Sequence, residues 1–327
     1  MQDKAGRIRT GTWPKAPAEP ATTDNRVNVS MAHLRGLEAK AKSLTFLPRQ
    51  PARSALNGRH ASKLRGRGLN FEELRDYLPS DDVRSIDWKV TARTGTPYVR
   101  VFTEERDRPA LVIVDQRMSM FFGSKRNMKS VTAAECAALA AFRILDQGDR
   151  VGGIVFGDQI LAEIRPKRSR MALDQFLKAL HEANRLLRAD APQIQPMSFN
   201  QVLRSVSKIA TRNHLLIFLS DFSEIDHKTS DLMSGLARRN DVIVGLVSDP
   251  YADDLPEGAK LVVSDGSLQV AIDTADSKTR QKLGDMAKGR LAEIRDWQRK
   301  LGIPVLPLSA AEDSLTQMRH LMGLGPR

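Results

Sequence analysis

Two carboxylates in this chain stand where short apolar runs end. Asp115 closes Leu111-Val112-Ile113-Val114-Asp115, and Asp221 closes Leu215-Leu216-Ile217-Phe218-Leu219-Ser220-Asp221. Ser119 lies four residues beyond the first, and Ser198 opens the helical stretch that precedes the second run. Oxygen donors gathered on loops suit a hard divalent cation such as Mg²⁺. One aspartate after a strand is ordinarily a helix cap. Two of them, each with hydroxyls nearby, point to a site.

Other chemistry is missing. There is no Gly-x-x-x-x-Gly-Lys-Ser/Thr phosphate loop and no Gly-x-Ser-x-Gly nucleophile elbow. Gly66-Arg67-Gly68 follows no strand, so it makes a weak dinucleotide fingerprint. The six histidines are scattered, with none paired at the i, i+4 spacing of a helical zinc site. Cys136, the single cysteine, sits in the apolar helical stretch Ala133 to Ala138 and excludes an internal disulfide framework. A non-enzymatic protein is the expectation, and a metal-dependent hydrolase built on the strand-end carboxylates is the least favoured alternative.

These carboxylates need a scaffold that brings strand ends together, and the pattern from Ala110 onward supplies one. Apolar, β-branched runs at Leu111–Val114, Val151–Phe156, Leu215–Leu219, Val242–Val247 and Ile303–Leu306 have the texture of strands buried on both faces. Helical stretches separate them at Met128–Leu145, Met171–Leu187, Phe199–Ile209, Thr229–Arg238 and Thr274–Leu301. That alternation predicts an α/β fold with a doubly wound, mostly parallel, Rossmann-like sheet. An antiparallel insertion is expected at Ile160–Ile164, a hairpin at Leu261–Val263 with Leu268–Ile272, and a last helix over Ala311–Leu321. Open sheets of this kind bind ligands at the carboxyl ends of their strands, where Asp115 and Asp221 fall.

The chain has 327 residues, 41% hydrophobic and 28% charged, enough apolar material for a sizeable core. Residues 1–25 read as a flexible tail, 26–108 as a small basic N-terminal accessory segment, and 109–327 as the main domain. Within the accessory segment, Met31–Leu44 has helical spacing, Asn70–Tyr77 reads as a helical turn or two stopped by Pro79, and Tyr98–Phe102 reads as a strand. Of the formal charge of +12, much lies between Arg26 and Arg67, where ten cations face one acid, Glu38. That stretch could meet phosphates or an anionic surface, so nucleic-acid or anionic-surface binding through residues 26–67 is the second functional alternative. Phe46 alone interleaves with these cations, which argues against base stacking. No signal pattern opens the chain and no apolar run reaches the ~18–20 residues of a membrane span, so a cytoplasmic location is expected.

The block Gly66-Arg67-Gly68-Leu69-Asn70-Phe71-Glu72-Glu73-Leu74-Arg75-Asp76-Tyr77, continued by Ser80-Asp81-Asp82-Val83-Arg84-Ser85-Ile86-Asp87-Trp88, Thr91-Ala92-Arg93 and Tyr98 to Arg106, resembles the signature of domain-of-unknown-function family 58. Ser80 and Thr91 replace the usual glycine and serine. The resemblance implies a von Willebrand factor A-like domain, bacterial, with no established enzymatic activity. It also implies association with MoxR-type AAA+ ATPases in a chaperone-like system, the partner expected here. The A-domain's metal-ion-dependent adhesion site has Asp-x-Ser-x-Ser after the first strand, a later Thr or Ser and a later Asp. Asp115, Ser119, Ser198 and Asp221 take those places, while the middle serine is replaced by Arg117.

A guanidinium cannot coordinate a cation, and at ~5 Å in a partly wet site its charge repels one by several kcal/mol. The expectation is that Arg117 acts as internal counter-charge in a divergent site with no cofactor. The alternative is that it swings to solvent and leaves weakly bound Mg²⁺. The signature residues Asp81, Asp82, Arg84, Asp87, Trp88, Arg93, Arg100, Glu104 and Arg106 alternate in charge and are expected to form an ion-pair and hydrogen-bond network that locks their segment onto the main domain.

Overall fold

The computed structural model describes residues 9–10, 24–44, 69–79, 81–104, 109–158, 160–188, 197–250, 260–264, 269–273 and 290–322. The chain divides into two compact units, one formed by Met1–Phe46 with Arg108–Arg327 and one by Leu47–Asp107.

The larger unit is built on a seven-stranded sheet. Its strands are β1 (Arg9–Thr10), β4 (Ala110–Asp115), β5 (Val151–Phe156), β6 (Ile160–Lys167), β7 (Leu215–Ser220), β8 (Asp241–Ser248) and β11 (Val305–Ser309), in the spatial order β1-β6-β5-β4-β7-β8-β11. From β5 to β11 every neighbouring pair is parallel, whereas β6 runs antiparallel to β5. This is the doubly wound, mostly parallel sheet expected of the alternating pattern. Helices α1 (Met31–Ala41), α3 (Lys129–Asp146), α4 (Arg170–Leu186) and α7 (Ser314–Leu321) cover one face, and α5 (Phe199–Ile209) and α6 (His227–Ala237) cover the other. Strand β4 shows why its sequence is apolar throughout: Val112 and Val114 enter one core and Leu111 and Ile113 the other.

Close approach explains the glycine pair in β5. A Cβ on Gly153 would lie 2.1 Å from the Phe176 ring of α4, and one on Gly152 would lie 2.3 Å from the Ile164 carbonyl oxygen of β6. Helix α3, rich in alanine, is buried nearly along its whole length beneath α1, α4 and α7.

Several boundaries differ from the sequence pattern. Helix α1 packs Leu34, Leu37 and Ala41, with Leu44 behind it, into the core of the larger unit, so it belongs there and not to an accessory segment. Arg9–Thr10 pairs with Glu163 and Ala162 of β6, so the tail contributes backbone to the sheet edge. The last strand starts at Val305, after Pro304, and the last helix at Ser314, where Asp313 caps it by accepting from Thr316 N. Between 290 and 301 the chain is helical and ends as a π-helix, Trp297–Leu301; residues 274–289 of the expected helix lie outside the described residues. Strands β9 (Lys260–Ser264) and β10 (Gln269–Asp273) pair as the expected hairpin.

The smaller unit corrects one reading outright. Leu69–Asp76 is a strand, β2, and not a helical turn, because it pairs antiparallel with β3 (Tyr98–Glu104) from Leu69↔Glu104 to Asp76↔Tyr98. A bulge between Phe71 and Glu73 breaks the two-residue alternation that would have announced it. Long-range pairing has overridden the local helical preference of Glu-Glu-Leu-Arg. Helix α2 (Trp88–Thr94) follows, capped by Asp87.

Candidate functional site

Parallel pairing of β4 with β7 places Val114 beside Leu219, so the next residues, Asp115 and the Ser220-Asp221 pair, leave the sheet side by side at its carboxyl edge. The sheet geometry that the site requires is therefore present.

Asp115 is fully buried, and both its oxygens are occupied. Oδ1 accepts from the Arg117 backbone N (2.9 Å) and Nε (3.1 Å). Oδ2 accepts from Arg117 Nη2 (2.8 Å) and from Ser220 Oγ (2.6 Å). Arg117 is itself only 2% exposed. Its guanidinium lies 5.7 Å from the ring centroid of Phe156 and 6.0 Å from that of Phe199, which replaces lost hydration by cation–π contact. Burial works against its charge, yet Asp115 beside it holds its pKa above the ordinary value.

Asp221 has a cation of its own, which sequence reasoning missed. Lys129, at the start of α3 and 7% exposed, places Nζ 2.7 Å from Asp221 Oδ2. The Ser223 backbone N donates to Oδ1 at 3.0 Å, and Ser119 Oγ reaches it at 3.5 Å. Burial alone would raise the Asp221 pKa, but Lys129, helped by Arg117 and the Ser223 N–H, outweighs it and brings the value down to about 2. No local signal marks Lys129, because Lys125 and Arg126 stand just before it in the sequence. A third strand-end carboxylate was also overlooked. Asp249, buried after β8, accepts from Ser124 N at 2.9 Å and follows the same run-then-aspartate pattern.

The loop after β7 is held in an unusual backbone. Phe222 and Glu224 have φ of +53° and +60°, a region costing non-glycine residues ~1–2 kcal/mol each. Phe222 is kept there by Ser220 Oγ, which accepts from its N at 2.9 Å, and by packing against Phe199 and Trp297 at centroid distances of 5.2 and 5.7 Å. The result turns Ser223 toward Ser119, with their hydroxyls 3.1 Å apart. Asp158, half-buried on the loop after β5, is raised in pKa by burial, against the pull of Arg117.

The arrangement brings Asp115, Arg117, Ser119 and Asp221 together. Ser198 is exposed at the N-cap of α5, next to Phe199, and its side chain makes no hydrogen bond to them. A divalent ion at this place fits poorly, since it would have to displace a guanidinium from Asp115 and an ammonium from Asp221. Among the described residues no group of three His, Cys, Asp or Glu side chains is placed to hold a metal.

The ion pairs also set a pH dependence. Asp221 titrates near 3.8 when unfolded and about 2 when folded, so its contribution, about 2 kcal/mol, is present above the unfolded value and disappears as pH falls from about 4 to about 2. Urea unfolding of wild type and Asp221→Asn at about pH 5 and about pH 2.5 checks this. The variant should show the smaller pH-dependent loss, and equal losses would contradict the assignment.

The signature residues behave locally. Asp81 pairs bidentately with Arg75, both contacts at 2.7 Å, a partner outside the expected set. Asp82 accepts from Arg84 N and Asp87 from Lys89 N and Val90 N, so both serve as backbone caps. Arg84 and Arg93 are exposed, and Trp88 is 63% exposed. Arg100 and Glu104 lie in β3, and Arg106 lies outside the described residues. Among the described members, Asp81 forms an ion pair and Asp82 and Asp87 cap the backbone, while the side chains of Arg100, Glu104 and Arg106 lie outside the described residues.

The chain is 25% identical over 283 residues to the uncharacterized protein Rv1480 of Mycobacterium tuberculosis and to the uncharacterized protein Mb1516 of Mycobacterium bovis, covering 86% of this chain and 87% of each relative. Among solved structures it is similar to the conserved hypothetical protein BatB from Bacteroides thetaiotaomicron (14% identity, TM-score 0.39, 65% of this chain and 95% of that one). A second is the Deinococcus radiodurans RO (RSR) protein (12% identity, TM-score 0.28, 56% and 35%). The family model described as protein of unknown function DUF58 matches residues 73–292, about two thirds of the chain, and the chain belongs to that family.

Proposed function

We propose that this chain is a non-enzymatic protein–protein interaction module of the von Willebrand factor A-like kind, whose metal-ion-dependent adhesion site has become a metal-free docking surface. One observation carries the reading: Asp115 and Asp221 are closed off by internal cations, while the groups above them stay available. Ser119 and Glu224 are exposed, Ser223 is partly so, and Phe122 is 37% exposed on the same loop cluster. An aromatic ringed by polar groups on a rigid base is the usual anatomy of an interface anchor. Hydrolysis is disfavoured because the carboxylates that would activate water are neutralised. The partner we infer, from the family resemblance, is a MoxR-type AAA+ ATPase in the cytoplasm. No helix among the described residues is long and apolar enough to cross a membrane.

The purified chain should bind the MoxR-type ATPase of its own organism equally well with Mg²⁺ withheld from this chain or supplied to it. Phe122→Ala should weaken binding about tenfold while leaving unfolding unchanged. Absence of binding, or affinity that depends on a divalent ion at Asp115, would overturn the proposal.

A further inference from the structure

The opposite edge of the sheet, where the parallel strands begin, carries a different chemistry. Strand β6 delivers Lys167 beside Val151, the first residue of β5. The end of β6 and the turn into α4 present Arg165, Lys167, Arg168 and Arg170, all exposed, followed by Met171 at 71% exposure. Glu38 of α1 bonds to this turn through Arg170, and Asp174, one turn along α4, pairs with Arg35 of α1. The N-terminus of α4 adds about half a positive charge.

A second cluster sits on the same edge. Lys208 in the last turn of α5, and Arg212, Arg238 and Arg239 on the loops entering β7 and β8, are exposed, and no ion pair engages them among the described residues. Those loops are fastened together by Asn213 N to Arg239 O (2.8 Å) and Asp241 N to His214 O (2.9 Å), so the cations are held at fixed spacing. Asp231, Asp241 and the ends of α5 and α6 subtract about three charges from the second cluster. The α3–β5 turn lying between the clusters is balanced, Arg143 and Arg150 against Asp146 and Asp149. The two clusters together retain about +4, spread from β6 to β8 over four strand spacings, roughly 19 Å.

We propose that this amino edge docks the protein on an anionic lipid surface. Three features select a membrane over a nucleic acid. The cations lie along one edge of the sheet, on strand and helix ends and the loops between them, and suit a plane of headgroups. No aromatic side chain accompanies them among the described residues, so bases have nothing to stack on. Met171 offers an apolar side chain to the interfacial layer, where a phosphodiester backbone would give it no partner. The inference concerns the edge opposite the carboxylate site and stands independently of the partner proposed there.

The test is sedimentation of the full chain with vesicles. Binding to equimolar phosphatidylglycerol and phosphatidylcholine, absent for pure phosphatidylcholine and falling with salt, is the expected result. Each cation near such a surface contributes about fivefold, so Arg165→Glu with Lys167→Glu, and separately Arg238→Glu with Arg239→Glu, should each weaken binding at least tenfold. All four side chains are exposed, and unchanged thermal unfolding will show that the fold is intact. Equal binding to both vesicles, or full binding by both paired variants, overturns the proposal. So does capture of duplex DNA with the same residue dependence while the vesicles are ignored.

Discussion

Replacing Arg117 with leucine is expected to cost about 3–5 kcal/mol of folding stability, because it strands Asp115 as a buried, unpaired carboxylate. Asp115 is fully buried, and without the guanidinium it keeps only Ser220 Oγ as a side-chain donor. Leucine would still fill the space against Phe156 and Phe199, so packing loss is not the main term. The double variant Asp115→Asn, Arg117→Leu removes the stranded charge and should lie within about 1 kcal/mol of wild type. Urea denaturation of the four proteins in the cycle measures the coupling. A single variant that loses under 1 kcal/mol, or a double variant that loses as much as the sum, would show that the pair is not the closed unit the geometry indicates.

The sheet was legible because its strands are buried on both faces. Runs such as Leu111–Val114 and Val242–Val247 contain only apolar residues, and a helix-length interval between them leaves little but a parallel crossover. The adjacency of Asp115 and Asp221 followed from that topology. What could not be read was decided by contacts distant in sequence. Leu69–Asp76 looks locally helical and becomes a strand only through β3, with a bulge hiding its alternation. Helix α1 looks like part of a basic arm until its apolar face meets α3 and α4. Lys129 follows the same rule: a lysine at a helix start is ordinarily a surface residue, and only the fold brings its ammonium to Asp221, 92 residues away. Arg117, two residues from Asp115, could be paired from the sequence because its partner is local.

The two cations also divide the labour of holding the site closed, and this division yields the most demanding expected result. Arg117→Ser alone puts a hydroxyl beside Asp115 and frees that carboxylate, yet Lys129 still neutralises Asp221. That variant should be destabilised and remain indifferent to Mg²⁺ or Mn²⁺. Arg117→Ser combined with Lys129→Ala frees both carboxylates beside Ser119 and Ser223, giving an oxygen-only donor set at adjacent strand ends. The double variant should be less stable than either single one in chelator, because two buried carboxylates now repel each other. It should then recover about 2–3 kcal/mol when the ion reaches about 100 times its dissociation constant, since binding to the folded state alone draws the equilibrium toward it. Thermal unfolding with and without Mn²⁺ reads this directly. Full rescue of Arg117→Ser by the ion would mean that Lys129 moves aside at little cost and that Arg117 alone guards the site. No rescue of the double variant would mean that the strand ends are spaced for ion pairs and not for a shared cation.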